Sequence, residues 1–491
     1  MNKIKIGWGE ASLAPGGKKV DLVGQFYERI SDEIETPIAV NALAIECGDD
    51  AVIFCSCDLV GVSESLITLV REKLPESFPK DKLIVSAIHT HTSLGFAARS
   101  DGFKSGLKGL KEYLPEECLY VPLISDEENV LRGEEARVFI ADKIVEAATM
   151  AWDGRAYGSY APGFGRAAVG MCRRACYDDG SAKMWGDTNS PSFTHLEGGN
   201  DSGIELLFTY NKDGELSGVV ANVACPAQVL EHQSFISSDY MGKLKNIIRT
   251  KYGEKVGFLG LISAAGDMCP RDLVRWVDAE IKLNDPNISR DIIIERRADP
   301  SMFDIKGCEK VAKRIANEIF WALEDVTERV SETVLIHKNL AVDLPLRRVT
   351  PEEYERADAA LRNFAKESSG RINYEDNARM QIHFGTVNRY KIQQTRDLFT
   401  IESHILRLGD LAFATNPFEL FLDYGNQMRA RSLAKQTFLI QLACGSWGYL
   451  PTEKAEKGGH YSAFVSSGTA GHVGGEMLVR KTVKEINEMF K

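Results

Sequence analysis

TPIAVNALAIECGDDAVIFCSCDLV (residues 36–60) and KLIVSAIHTHTSLG (82–95) are the stretches on which the fold reading rests. Residues 37–47 and 51–58 are rich in β-branched and small apolar side chains, and Gly48-Asp49-Asp50 between them reads as a hairpin turn. Residues 62–74 then carry helical spacing, and 82–91 read as a buried strand. Two strands, a helix and a further strand predict an α/β architecture with mixed sheets. The same alternation continues outward. A helix is expected over 133–152, strands near 203–210 and 216–225, a helix over 239–252 and a strand over 256–263. Beyond 306 the pattern predicts helix (306–325), strand (333–343), helices (351–366 and 375–395), strands (399–416), helix (418–432), strand (437–443) and a last helix (474–490). No internal repeat is visible. Residues 97–132 and 271–305 break the rhythm and read as insertions of the kind that form lids or binding loops, or plain solvated excursions. One large domain over 1–491 is the expected organisation.

Composition narrows the function classes. Of 491 residues, 44% are apolar and 26% charged, which suits a globular protein with a sizeable core. Lys plus Arg is 59 against 70 Asp plus Glu, a net charge of −11. That balance, with no long basic run, argues against nucleic acid and against an anionic membrane surface as partners. No apolar run approaches the ~20 residues of a membrane helix, and the start of the chain lacks the apolar core of a signal peptide. Ten scattered cysteines without framework spacing fit reduced thiols, so a cytoplasmic protein with no membrane insertion is expected. A small-molecule substrate is the expected partner, with homo-oligomerisation left open.

The chemistry-bearing residues share a position, each following an expected strand. His89 and His91 end the strand over 82–91, and alternation along a strand would aim both rings the same way, as two metal ligands or as one ligand beside a proton carrier. The plain alternative is a hydrogen-bonded histidine pair. Gly266-Asp267 and Cys269 follow the strand over 256–263, with Asp267 also suited to capping backbone. Cys225, Glu231 and His232 follow the strand over 216–225. Glu419 follows 399–416, where a carboxylate could equally serve a helix N-terminus. Tyr449, His460 and Tyr461 lie in a Gly-rich loop after 437–443.

Taken together, IGWGEASLAPGG (6–17), SAIHTHTSLG (86–95), GFGRAAVGMCRR (163–174), NVACPAQV (222–229), AAGDMCPRD (264–272), NPFELF (416–421) and SWGYLPTEKAEKGGHY (446–461) resemble the catalytic domain of the neutral/alkaline, non-lysosomal ceramidases. The resemblance implies a zinc-dependent amidohydrolase fold, with His89, Glu419 and Tyr449 as metal ligands. It implies His91 as the proton shuttle beside the scissile bond, and Arg173 and Tyr461 as active-site groups. The sequence departs from that pattern twice. Cys225-Pro226 stands where the family has a His-Pro dipeptide, so either Cys225 or His232 would supply the missing ligand. Cys269 stands where the family has its serine. No segment matching the family's C-terminal β-sandwich is seen. The expected activity is therefore metal-activated cleavage of an amide or ester in a soluble substrate, with Zn²⁺ as the cofactor. The alternatives are another metal-assisted reaction on a sugar or polyol, or a non-catalytic binding protein.

Overall fold

The stretch 36–60 folds as a hairpin: Ala39–Cys47 and Asp50–Cys57 pair antiparallel, with Gly48 at φ 65° in the turn. Only glycine adopts that left-handed conformation at little cost. This hairpin belongs to a computed structural model that describes residues 1–25, 27–96, 110, 112–114, 119–120, 127–274, 277–278, 296–297, 304–367 and 371–491. The insertions expected over 97–132 and 271–305 fall mostly outside the described residues.

One order of elements recurs three times. Three antiparallel neighbours are followed by a crossover helix, a fourth strand parallel to the third, and a later helix on the same face. The first unit comprises Asn2–Ser12, Ala39–Cys47, Asp50–Cys57, helix Glu64–Lys73, Leu83–Ala87 and helix Gly133–Asp153. In the second the elements are Ser159–Arg166, Gly203–Tyr210, Leu216–Val223, helix Asp239–Tyr252, Gly257–Ile262 and helix Ile305–Glu324. The third runs Leu335–Pro345, Leu398–Leu408, Leu411–Thr415, helix Leu422–Arg431, Gln436–Ile440 and helix His472–Met489. The repeat is one of topology and leaves no trace as a repeated residue pattern in the sequence.

Strand alternation explains how the units assemble. In Asp50–Cys57, Ile53 and Cys55 face the helices beside Leu66, Val70, Ile140 and Ile144, whereas Val52 and Phe54 face the other way. The second and third sheets also cover one face with their own helices. The remaining three faces meet in one central core of Phe54, Ile84, Val220, Leu259, Leu261, Phe413 and Phe438, with Phe413 and Phe438 stacked at 4.4 Å. Each such side chain contributes about 1.5–3 kcal/mol on burial, against about 1 kcal/mol net for a hydrogen bond. Apolar packing therefore holds the sheets together, and polar contacts set their register. Ser56 Oγ donates to Gly260 O at 2.5 Å, and Asn222 Nδ2 donates to Leu439 O at 2.8 Å. Because third and fourth strands run parallel, their C-terminal ends gather at one end of the molecule, where α/β folds build sites. Among the described residues no helix is long and apolar enough to cross a membrane.

Two boundaries differ from expectation at that end. The strand over 82–91 stops at Ala87, and the helix expected from 418 starts at Leu422. The first shift places His89 and His91 in a loop, and the second leaves Glu419 in the short strand Glu419–Leu420 ahead of the helix.

Candidate active site

His89 follows the fourth strand of the first unit with φ 67°, a left-handed conformation that is costly for a residue with a side chain. Its backbone N–H donates to Leu59 O at 2.9 Å, which holds the turn. His91 is reached through this turn, not along a strand, so strand alternation is not what brings the rings together. They meet edge to face, with centroids 4.9 Å apart and Nε2 atoms 3.4 Å apart.

Glu419 and Tyr449 come from the third unit. They are register partners in a two-stranded parallel ribbon, and Glu419 N–H donates to Gly448 O at 3.0 Å. Gly266 packs against this ribbon: a Cβ there would lie 2.3 Å from Glu419 O. Asp267 accepts from Leu422 N–H at 2.8 Å and so caps the following helix, the plain reading of that residue. Burial pushes its carboxyl up to about 6.

Arg173 is placed by the short ladder Met171–Cys172 with Met268–Cys269 and by its own N–H donating to Asp267 O at 2.9 Å. Only 2% of the residue is exposed. Its guanidinium donates to Gln228 Oε1 at 3.2 Å, Gly266 O at 3.1 Å and Tyr449 Oη at 3.4 Å. Tyr461 is 39% exposed overall but turns its hydroxyl inward, 2.9 Å from that of Tyr449.

Hydrogen-bond logic assigns the ring protons. Val60 O lies 2.7 Å from His89 Nδ1, and a carbonyl only accepts, so Nδ1 carries a proton; with one proton on the ring, Nε2 offers a lone pair. That lone pair faces Glu419 Oε2 at 3.5 Å. Two electron-rich atoms aimed at each other call for a cation between them. The separation is close to the donor–donor edge of a tetrahedral site with bonds of about 2.0–2.1 Å. His89 and Glu419 thus present a nitrogen and an oxygen at the spacing a divalent ion would need, with Tyr449 in register beside Glu419. For His91, Arg173 fixes the amide of Gln228: its oxygen faces the guanidinium, so its NH₂ faces His91 Nε2 at 3.2 Å. The His91 proton then sits on Nδ1, 4.0 Å from Glu231 Oε2. Burial, then His89, keeps His91 well below the usual imidazole range. Glu231 is pushed up by burial but held down at about 2, chiefly by Arg271, which donates to its Oε1 at 2.8 Å.

The structure does not bring the two candidate replacement ligands to this cluster. Cys225 Sγ donates to Val169 O at 3.3 Å, and Tyr240 Oη donates to Cys225 O at 2.5 Å. His232 Nε2 lies 3.5 Å from Glu231 Oε1. Among the described residues, no trio of His, Cys, Asp or Glu donors includes either one with His89 and Glu419. Cys225 faces away because it begins the turn that the buried Pro226 continues, and the side chain that enters the site is Gln228, three residues on. Sequence reasoning missed Gln228; its place in the same loop as Cys225 was the available signal. It also missed Arg29, which donates to the carbonyls of Glu231 at 3.0 Å and His91 at 2.6 Å and ties the two loops together. No local motif marks Arg29.

Cys269 donates its thiol to Arg271 O at 3.2 Å, and burial pushes it up to about 11 despite the pull of nearby Arg173. It is a neutral thiol near pH 7, a poor nucleophile. Cys269→Ser is expected to keep most turnover, within about threefold of the parent once folding is matched, since a hydroxyl can donate to the same carbonyl. Steady-state kinetics with a thiol-alkylation control checks this; an inactive but metal-replete serine variant would make the thiol essential. All nine described cysteines are free.

No protein-family model matches the sequence, and no curated protein matches it. Solved structures do. Neutral ceramidase from Pseudomonas aeruginosa superposes with a TM-score of 0.66 at 16% identity, over 100% of this chain and 75% of that one. A ceramidase structure complexed with C2 gives 0.66 at 13% identity, over 100% and 76%. At these identities the likeness speaks for the backbone, and over its whole length this chain carries the neutral ceramidase fold.

Proposed function

We propose that the chain is a metal-dependent hydrolase that cleaves an amide or ester in a soluble, polar acyl-type substrate. The observation that carries this reading is the pinned His89 Nε2 lone pair facing Glu419 Oε2 at 3.5 Å, beside Tyr449 and the Arg173 guanidinium. His89, Glu419 and Tyr449 would hold the ion, zinc being the expected metal for such an N/O set. A bound divalent ion supplies Lewis acidity and brings the pKa of a water towards neutrality.

The chain's own groups do the rest. Arg173 and Tyr461 present donors to the oxygen that gains charge as the carbonyl is attacked. His91 accepts a proton at Nε2 once substrate displaces the Gln228 amide, and later returns it to the leaving group. Glu231 faces the opposite ring nitrogen and favours the imidazolium in that interval. Arg271 keeps Glu231 ionised throughout, and the buried guanidiniums exclude bulk water from the acid–base pair.

Substrate class follows from the lining. Around His91 stand Gln25, Gln228, Glu231 and Arg271, polar groups that suit a hydrogen-bonding substrate better than a lipid chain. The same lining favours a second reading, a metal-assisted reaction on a sugar or polyol. Zinc-loaded and chelator-treated protein should be compared on a panel of short N-acylated amines and esters. Turnover only in the loaded protein is the expected result. Stoichiometric zinc without turnover of any acyl substrate would favour the polyol reading, and absence of metal binding would discard both.

A further inference from the structure

A second set of metal-ligating groups lies where the first sheet meets the third. Glu402 and His404 stand on Leu398–Leu408, and Cys444 stands in the loop after Gln436–Ile440. One donor atom of each lies within 4.8 Å of the other two. His404 is 0% exposed and Cys444 2%.

The surrounding hydrogen bonds leave one ring nitrogen committed to nothing but these partners. His337 Nδ1 lies 2.9 Å from Ala51 O and must donate to it, so neutral His337 offers a lone pair at Nε2. His404 Nδ1, 2.8 Å from that lone pair, donates in turn. The other nitrogen, His404 Nε2, faces Glu402 Oε1 at 2.7 Å and Cys444 Sγ at 3.7 Å. Arg71 donates to both oxygens of Glu402, to Oε2 at 2.8 Å and also to Oε1. A histidine whose far N–H is tied to an anchored partner, beside a carboxylate that is itself hydrogen-bonded, is the usual surrounding of a metal ligand.

A positive charge belongs between His404 Nε2 and Glu402. A second proton on the ring would satisfy those two atoms and leave the Cys444 thiol as a weak hydrogen-bonding neighbour of them. A metal ion would use all three donors. We propose that Glu402, His404 and Cys444 form a second, structural site for a zinc-like divalent ion, separate from His89, Glu419 and Tyr449. The S/N/O donor set selects zinc or cobalt over magnesium or calcium. The 3.7 Å between Sγ and Nε2 is near the edge of about 3.6 Å expected for Zn–S and Zn–N bonds in a tetrahedral site. Binding displaces the thiol proton and the proton shared by His404 and Glu402, releasing both to solvent. The Nε2–Oε1 pair then opens by roughly 0.6 Å to the spacing of two metal ligands. The ion would join the Leu398–Leu408 strand to the loop that holds Cys444, whose N–H donates to Val85 O of the first sheet at 2.8 Å. Tyr449 lies only a few residues further along the same loop.

Cobalt substitution of the full chain tests this without reference to activity. The donors of the candidate active site are nitrogen and oxygen only, so a near-ultraviolet sulfur-to-cobalt charge-transfer band reports on the second site alone. The expected result is two Co²⁺ per chain with that band present. Cys444→Ser and His404→Gln should each lose the band and one equivalent. His89→Ala should lose one equivalent and keep the band, and Cys225→Ser should keep both. Absence of the band in the loaded parent protein overturns the proposal even if the Cys444 variant fails to fold. So does its persistence in a folded Cys444→Ser. One equivalent with no sulfur band would leave the active-site reading standing and remove this one.

Discussion

His89→Ala is expected to abolish metal binding at the candidate active site and to lower hydrolysis by more than about 10³-fold, the scale of losing an activated water together with carbonyl polarisation. The argument is one of donors. Without the imidazole, only Glu419 and Tyr449 remain. Burial, then Glu419, pushes the Tyr449 hydroxyl well above its usual range, so it stays a neutral phenol unless a cation is held beside it. One carboxylate and a phenol do not make a tight zinc site. The fold should survive, because the truncation forfeits the side-chain contacts to Val60 O and His91 and leaves the backbone hydrogen bond from His89 N–H to Leu59 O in place. Metal analysis of the purified variant, with circular dichroism to show it is folded, decides the matter. Stoichiometric retention at this site would move the metal elsewhere.

His91→Ala should fail differently. This ring is 3.4 Å from His89 but is held by Gln228 at Nε2 and faces Glu231 at Nδ1, so its neighbours suit proton transfer and not ligation. The variant should keep its metal and lose roughly 10²–10⁴ in kcat, the usual worth of a general acid–base group. KM should change little, since the groups that would meet the carbonyl oxygen, Arg173 and Tyr461, remain in place. Loss of metal in both variants to the same extent would make His91 a ligand and overturn the division of roles.

Much of the fold was readable because its strands obey local rules. Ala39–Cys47 and Asp50–Cys57 are apolar runs joined through Gly48, and the crossover helices carry one apolar stripe each. Ser159–Arg166 was not readable. Its sequence SYAPGFGR contains a proline and two glycines, which depress strand propensity, and it survives at the edge of its sheet, paired along its length with Gly203–Tyr210 and bridged at Tyr160 to Val330. The threefold recurrence of elements was invisible for another reason: it lies in strand pairing, and the three units share no residue pattern.

The sequence by itself named a set of candidate residues and placed each just past an expected strand, because strand ends in α/β proteins are where polar side chains escape the core. His89, His91, Arg173, Glu419, Tyr449 and Tyr461 do meet. Tertiary structure alone decided how they meet and which candidates stay out. The left-handed turn at His89 replaces strand alternation as the reason two rings converge. The parallel register of Glu419 with Tyr449 joins loops thirty residues apart. Cys225 is turned towards Val169 while Gln228 enters in its place. Asp267 caps a helix, and Arg29 and Arg271 donate from distant segments to His91 O and the Glu231 carboxylate. These are long-range contacts between buried polar groups. Each is chosen by the need to satisfy a donor or a charge once water is gone, a condition that does not exist until the three sheets have closed on one another.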